Sequence, residues 1–121
     1  EGSVFGKRFG NGGGVTNAVI ECFKEKGESA DVKVARCSGA AEVKKALLLL
    51  KVGRLPEDFI EGMMCQGGCV GGPSNLKQEM AFKKDRDAVI AKADGRGVWE
   101  NLKNYDMDSF SMHRSYEKPE A

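Results

Sequence analysis

The spacing of apolar residues along the chain predicts an alternation of helices and strands. Some segments repeat apolar residues every three or four positions, as an amphipathic helix does, whereas others alternate apolar and polar residues, as a half-buried strand does. Glycines follow the first two helical segments, where they are well placed to end a helix. The predicted elements are a helix over 15–27, a strand over 31–39, a helix over 40–52, a strand over 59–64, a helix over 73–95 and a short helix over 98–102.

This order of elements predicts an α/β fold. Helix, strand, helix, strand and helix form half of a doubly wound parallel sheet, with the helices packed on a small sheet. Val4–Phe9 is a candidate third strand. The predicted core positions on the second and third of these helices are Val43, Ala46, Leu47, Leu50, Leu76, Met80, Val89 and Ile90.

The length of the chain indicates one domain with an appended tail. A chain of 121 residues is within the usual size of a single domain and is long enough to bury a core. We assign residues 1–97 to the body and residues 98–121 to a C-terminal extension, whose short helix packs back on the body. Because the chain does not begin with Met, we expect an excised fragment or a processed product.

Composition and charge exclude several classes of protein. The net charge is +1, and no basic stripe with interleaved aromatic residues is present, so we expect no nucleic-acid partner. No apolar run approaches the roughly 18–20 residues that cross a bilayer, and the first residues do not resemble a secretory signal. We therefore expect a cytoplasmic protein without a membrane partner. Four cysteines in such a chain favour metal or redox chemistry over a disulfide scaffold.

Candidate chemistry is concentrated in residues 59–73, where a strand-like segment leads into Cys65 and Cys69. Glycines surround the two cysteines, and a loop rich in glycine can lie close to a bulky ligand. Thiolates bind soft metals, so the loop is typical of half an iron–sulfur site, since a cubane cluster normally takes four cysteines. A second glycine-rich segment, Gly10–Gly14, precedes the first helix, whose free N–H groups could face an anion such as phosphate, sulfide or cyanide.

Three segments together resemble one family, the FeFe (iron-only) hydrogenases. Residues 60–72 resemble its last cysteine motif, Glu-Val-Met-Ala-Cys-Pro-Gly-Gly-Cys-x-x-Gly-Gly. Residues 9–15 resemble its Phe-Gly-x-Ser/Thr-Gly-Gly-Val segment, and residues 34–39 lie where its Val-Ala-Val-x-x-Gly strand and turn would be. Five departures indicate a divergent bacterial branch: Gln66 replaces proline, Gly62 replaces valine, Gly12 replaces serine or threonine, Asn17 stands where an acidic residue is common, and Gly72-Pro73 shortens the usual glycine run.

The resemblance implies the C-terminal part of the large-subunit catalytic domain. That domain binds a 4Fe–4S cubane joined through one cysteine sulfur to a diiron unit that carries CO, cyanide and a dithiolate bridge. By the motif, Cys65 is a cubane ligand, Cys69 also bridges to the diiron unit, and Met63 packs against the diiron unit. The further candidate cofactor-binding residues are Gly13, Gly14, Gly67 and Gly68.

The resemblance also implies an activity and its partners. The full-length protein would reversibly reduce protons to H2, with a ferredoxin-like electron carrier. The other cluster ligands would come from the missing N-terminal part of the same domain. We therefore expect this fragment alone to lack the cluster and to be inactive.

Two alternatives stay open. The protein could be a non-catalytic iron–sulfur module with a sensory or cluster-assembly role, or a self-contained domain that binds metal through Cys22, Cys37, Cys65 and Cys69. Against the second alternative, Cys22 lies on an apolar helix face and Cys37 near a strand end, which favours packing in the core. A lone His113 in the tail is a weak candidate ligand or base.

Overall fold

The computed structural model describes residues 2–76 and 79–111, with side chains for 2–76 and 84–111. It confirms a small α/β fold. The elements are α1 (Val4–Lys7), α2 (Gly14–Glu25), β1 (Val34–Ser38), α3 (Ala40–Lys51), β2 (Phe59–Met63), α4 (Glu79–Ala91) and α5 (Val98–Leu102), with short 3-10 turns at Cys69–Gly71 and Met107–Ser109.

The sheet consists of two parallel strands, β1 and β2, joined by the crossover helix α3. Parallel neighbours need a long connection, and α3 supplies it while packing on both strands. The register pairs Val34 with Phe59 at one end and Ser38 with Met63 at the other. Both strands therefore end at the same edge of the sheet, where the N–H of Gly39 donates to the carbonyl oxygen of Met63 (2.7 Å). The two-cysteine loop begins at this edge.

The segment predicted as a third strand is a helix instead. The Oγ of Ser3 caps α1 by accepting a hydrogen bond from the N–H of Gly6 (3.1 Å). This local cap favours a helical turn over the extended form that Val4 and Phe5 suggest. In the described part of the chain, the strand-like contact at this segment is a parallel bridge between Ser3 and Asp94, to which the N–H of Val4 contributes a hydrogen bond (2.9 Å).

The third long helix does not begin where the sequence predicted. Residues 73–76 form a turn and a bend, and the described helix α4 runs over Glu79–Ala91, with residues 77 and 78 outside the described part. The N–H of Asn75 donates to the carbonyl oxygen of Gly72 (3.1 Å), and its side-chain amide donates to that of Val70. These bonds tie the chain after Pro73 back to the cysteine loop.

The core differs from the prediction on α3 and α4. Ala46 is buried and Val43 half-buried, as predicted, but Leu47 and Leu50 are 52% and 54% exposed. Leu76 and Val89 are also exposed, Ile90 is half-buried, and the side chain of Met80 lies outside the described part. Four consecutive leucines place apolar side chains all around a helix, so periodicity could not select the buried side.

The predicted short helix α5 packs back on the body, at the end of α2. The Glu25 carboxylate accepts hydrogen bonds from the N–H groups of Trp99 (3.0 Å) and Glu100 (3.4 Å) at the first turn of α5. The ammonium of Lys26 lies 5.1 Å from the centroid of the Trp99 ring, a cation–π distance. The domain boundary after residue 97 stays a prediction, and His113 lies outside the described residues.

In the described ranges, no helix is both long enough and apolar enough to cross a bilayer.

Candidate metal centre

The loop that carries the two cysteines is a compact double turn. Cys65 follows the end of β2 by two residues, and its carbonyl oxygen accepts a hydrogen bond from the N–H of Gly68 (3.1 Å). A 3-10 turn then begins at Cys69, whose carbonyl oxygen accepts from the N–H of Gly72 (3.0 Å). The two cysteines thus occupy consecutive turns of a folded loop, not positions along an extended strand.

Both cysteines line one cavity of about 380 Å³. Their thiols are free; Cys65 is half-buried and Cys69 exposed. A Cβ on Gly72, which also lines this cavity, would lie 3.5 Å from the Sγ of Cys65 and 3.0 Å from the carbonyl oxygen of Cys69. Thiolates are the ligands that iron–sulfur clusters use, so the residues present fit two of the ligands of such a group.

The other two cysteines are not part of this cavity. In residues 2–76 and 79–111, no three His, Cys, Asp or Glu side chains come together as a metal-binding group, so the proposed four-cysteine site is not formed there. Cys37 is buried in β1, and burial, then the charge of Glu42, raises the pKa of its thiol. Burial likewise raises the pKa of Cys22 on α2. A raised pKa disfavours the thiolate, which is the form that binds metal.

Residues 10–12 of the glycine-rich segment contact the cysteine loop through main-chain hydrogen bonds. The N–H of Gly12 donates to the carbonyl oxygen of Gly67 (2.9 Å), and the N–H of Val70 donates to that of Gly10 (3.1 Å). A Cβ on Gly68 would lie 2.6 Å from the carbonyl oxygen of Gly10. Two backbones approach this closely only where side chains are absent, which explains glycines in both segments.

Glu61 in β2 is the residue that sequence reasoning missed. It is 5% exposed, and its carboxylate accepts four hydrogen bonds from the start of α2. The donors are the N–H groups of Gly13 (2.8 Å), Val15 (3.1 Å) and Thr16 (3.4 Å), and the hydroxyl of Thr16 (2.9 Å). The sequence did contain a signal for this role, namely a single acidic residue inside an otherwise apolar strand.

These contacts correct the expectation that the glycine N–H groups are free for an anion. The N–H of Gly13 donates to Glu61 and that of Gly14 to the carbonyl oxygen of Asn11 (3.0 Å). The N–H of Gly67 donates to the Oγ of Ser38 (2.9 Å), another residue that the sequence did not single out. The anion at the start of α2 is the carboxylate of Glu61. Whether these glycines contact a cofactor stays a prediction.

Met63 ends β2 and is half-buried, whereas Met64 is 70% exposed. Of the two methionines, Met63 is therefore the one that packs against the protein. Its contact with a diiron unit stays a prediction.

A protein-family model matches the chain. The family model described as iron only hydrogenase large subunit, C-terminal domain, matches residues 1–73, which contain both the glycine-rich segment and the cysteine loop. Neither a curated protein nor a solved structure matches the chain.

Proposed function

The chain belongs to the family of the iron-only hydrogenase large subunit, C-terminal domain, and from this premise we propose that it supplies two cysteine ligands to the active-site cluster of a hydrogenase. The observation that carries the proposal is the single cavity lined by the free thiols of Cys65 and Cys69. Members of this family are associated with iron–sulfur clusters, and a thiolate pair is half of what a cubane needs.

We assign the two thiols different roles. Cys65 and Cys69 would hold the cubane, Cys69 would also hold a diiron unit, and Met63 would pack beside that unit. The exposure of Cys69 supports this division, since a bridging sulfur must be reached from two sides. When bound, the cluster supplies the redox chemistry by which two protons and two electrons form H2, reversibly.

The residues of this chain would hold and orient the group. Main-chain hydrogen bonds between the glycine-rich segment and the cysteine loop keep the two thiols at fixed positions on the loop. Gly72 leaves room beside Cys65, and Pro73, Ser74 and Asn75 also line the cavity. Such positioning and exclusion of solvent is the usual contribution of a protein to cofactor chemistry.

The proposal also names partners. The remaining cysteines come from an N-terminal part of the same domain, and a ferredoxin-like carrier exchanges electrons with the cluster. The two-ligand cavity supports the first of these partners, since the described residues provide no third ligand beside Cys65 and Cys69.

The test is hydrogen evolution by the full-length protein, expressed anaerobically with the maturation machinery that hydrogenases need. We expect Cys69→Ser to abolish hydrogen evolution and to lower the iron content. Cys22→Ser is the matched control, because Cys22 lies on α2 outside the cavity. This variant should keep the hydrogen evolution and the iron content of the wild type. Wild-type hydrogen evolution by Cys69→Ser would rule out the bridging role.

A second candidate is a non-catalytic iron–sulfur module with a sensory or cluster-assembly role. It is favoured by Gln66, which stands between the cysteines where the family motif has proline, and which is exposed. In that case the same preparation would show the visible absorption of a cubane cluster without hydrogen evolution.

A further inference from the structure

Glu61 is a buried acidic residue, and its place in a strand does not by itself explain why an acidic side chain is buried there. A charged side chain is rarely buried unless it is paired or fully hydrogen-bonded. Glu61 is nearly completely buried, and each carboxylate oxygen accepts two hydrogen bonds, Oε2 from Gly13 and the Thr16 hydroxyl, Oε1 from the N–H groups of Val15 and Thr16. Its charge lies at the N-terminus of α2, where the helix dipole also favours an anion.

This carboxylate ties the helix α2 to the strand that carries the cysteines. Glu61 lies four residues before Cys65 in the chain, whereas its donors lie 45 to 48 residues away from it. Thr16 is fully buried at this junction, with 0% exposure. The start of α2 therefore cannot move without moving β2.

The segment that precedes α2 also contacts the cysteine loop directly. The segment that leads into α2, Gly10–Gly12, is bonded to Gly67 and Val70 on either side of Gly68 and Cys69. The loop is thus held at two places: covalently, by β2, and through hydrogen bonds, by Gly10 and Gly12. By anchoring the start of α2 to β2, Glu61 fixes the position of Gly10 and Gly12 relative to β2.

We infer that Glu61 is a positioning residue for the cysteine pair, one that sets the placement of Cys69 relative to Cys65 by anchoring the start of α2 to β2. The inference rests on the proposed function, because the two cysteines are taken as cluster ligands. Glu61 itself does not line the cavity. Residues that orient metal ligands commonly change metal affinity by about 10–100-fold when substituted.

The isosteric substitution Glu61→Gln tests the carboxylate and not the volume of the side chain. A glutamine places an NH2 group where one oxygen was, and both oxygen positions face at least one backbone N–H donor. In either orientation of the amide, a donor then meets a donor. The start of α2 must shift away from β2, and with it the segment that backs the cysteine loop.

The experiment uses the full-length protein with its cluster reconstituted anaerobically. Two properties are measured for the wild type and Glu61→Gln: the rate at which a ferrous chelator removes iron, and the electron paramagnetic resonance spectrum of the reduced cubane. We expect iron removal about tenfold faster in Glu61→Gln, with a changed spectrum. Glu25→Gln is the control, because the exposed Glu25 carboxylate also accepts hydrogen bonds from backbone N–H groups at the start of a helix, α5, but does not line the cysteine cavity, and both properties should equal those of the wild type.

Thr16→Val keeps the test decisive if Glu61→Gln does not fold. It removes one donor to the carboxylate and preserves the volume of a fully buried residue, so we expect a smaller change in the same direction. Unchanged iron release and spectrum in the folded variants, with a lower melting temperature alone, would show a merely structural carboxylate and overturn the inference. A wild-type protein that takes up no cluster would overturn the proposed function and, with it, this inference.

Discussion

Gly68 is the position where an added methyl group should do most harm to the cysteine loop. Its backbone has φ 94° and ψ −165°, a combination open almost only to glycine. A Cβ would lie 2.6 Å from the carbonyl oxygen of Gly10, 2.7 Å from the nitrogen of Gly12 and 2.9 Å from the carbonyl carbon of Asn11. All three are backbone atoms, so no side chain can rotate away to relieve the contact.

The cost of Gly68→Ala has two parts. A non-glycine residue in this backbone conformation costs about 1–3 kcal/mol. Forcing two packed segments apart to admit a methyl group costs about 1–3 kcal/mol more, as for overpacking of a core. The free energy of unfolding should fall by about 2–6 kcal/mol, a large share of the roughly 5–15 kcal/mol typical of a domain.

Gly27→Ala is the matched control for the backbone term. Gly27 also has a positive φ, 71°, but a Cβ there meets no atom within 4 Å, so only the left-handed conformation costs free energy, about 1–2 kcal/mol. Urea denaturation followed by circular dichroism gives the free energy of unfolding for both variants. If Gly68→Ala is no more destabilising than Gly27→Ala, the close packing of the two glycine segments is refuted.

Three further predictions concern other parts of the fold. Cys37 should react with a maleimide far more slowly than exposed Cys69, because burial hides its thiol and raises its pKa; mass spectrometry after timed labelling measures this, and equal rates would contradict the burial. Hydrogen bonds from Arg96 hold the pKa of Asp94 well below its usual range. The stability that these bonds give the folded protein is therefore complete above the unfolded-state pKa of about 3.9, and it is lost as the pH falls through the folded-state pKa. In urea titrations at a series of acidic pH values, Asp94→Asn should therefore lose stability less steeply below about pH 4 than the wild type, and parallel curves would speak against the pair. Leu50→Lys on the exposed side of α3 should change the free energy of unfolding by no more than about 0.5 kcal/mol in the same assay. A loss of several kcal/mol would show that Leu50 is a core residue.

Local patterns were sufficient for much of the fold. The two strands, the crossover helix between them and the short helix that packs back on the body were predicted within a few residues of their observed bounds. Such elements follow from local periodicity and glycine stops, which neighbours in sequence determine. Prediction was wrong where a local cap or turn competed with the periodicity, as at Ser3 before α1 and at Asn75 after the cysteine loop.

The sequence by itself determined the family and the position of the cysteine pair, because spacing between Cys65, Cys69 and their glycines is a property of the chain alone. Only the tertiary structure decided which anion lies at the start of α2. The donors at Gly13 and Thr16 are more than forty residues from Glu61, and no periodic pattern joins residues so far apart. The hydrogen bonds of this buried carboxylate depend on where the fold places Glu61 beside the start of α2, so the partner of the glycine-rich segment could be read only from the folded chain.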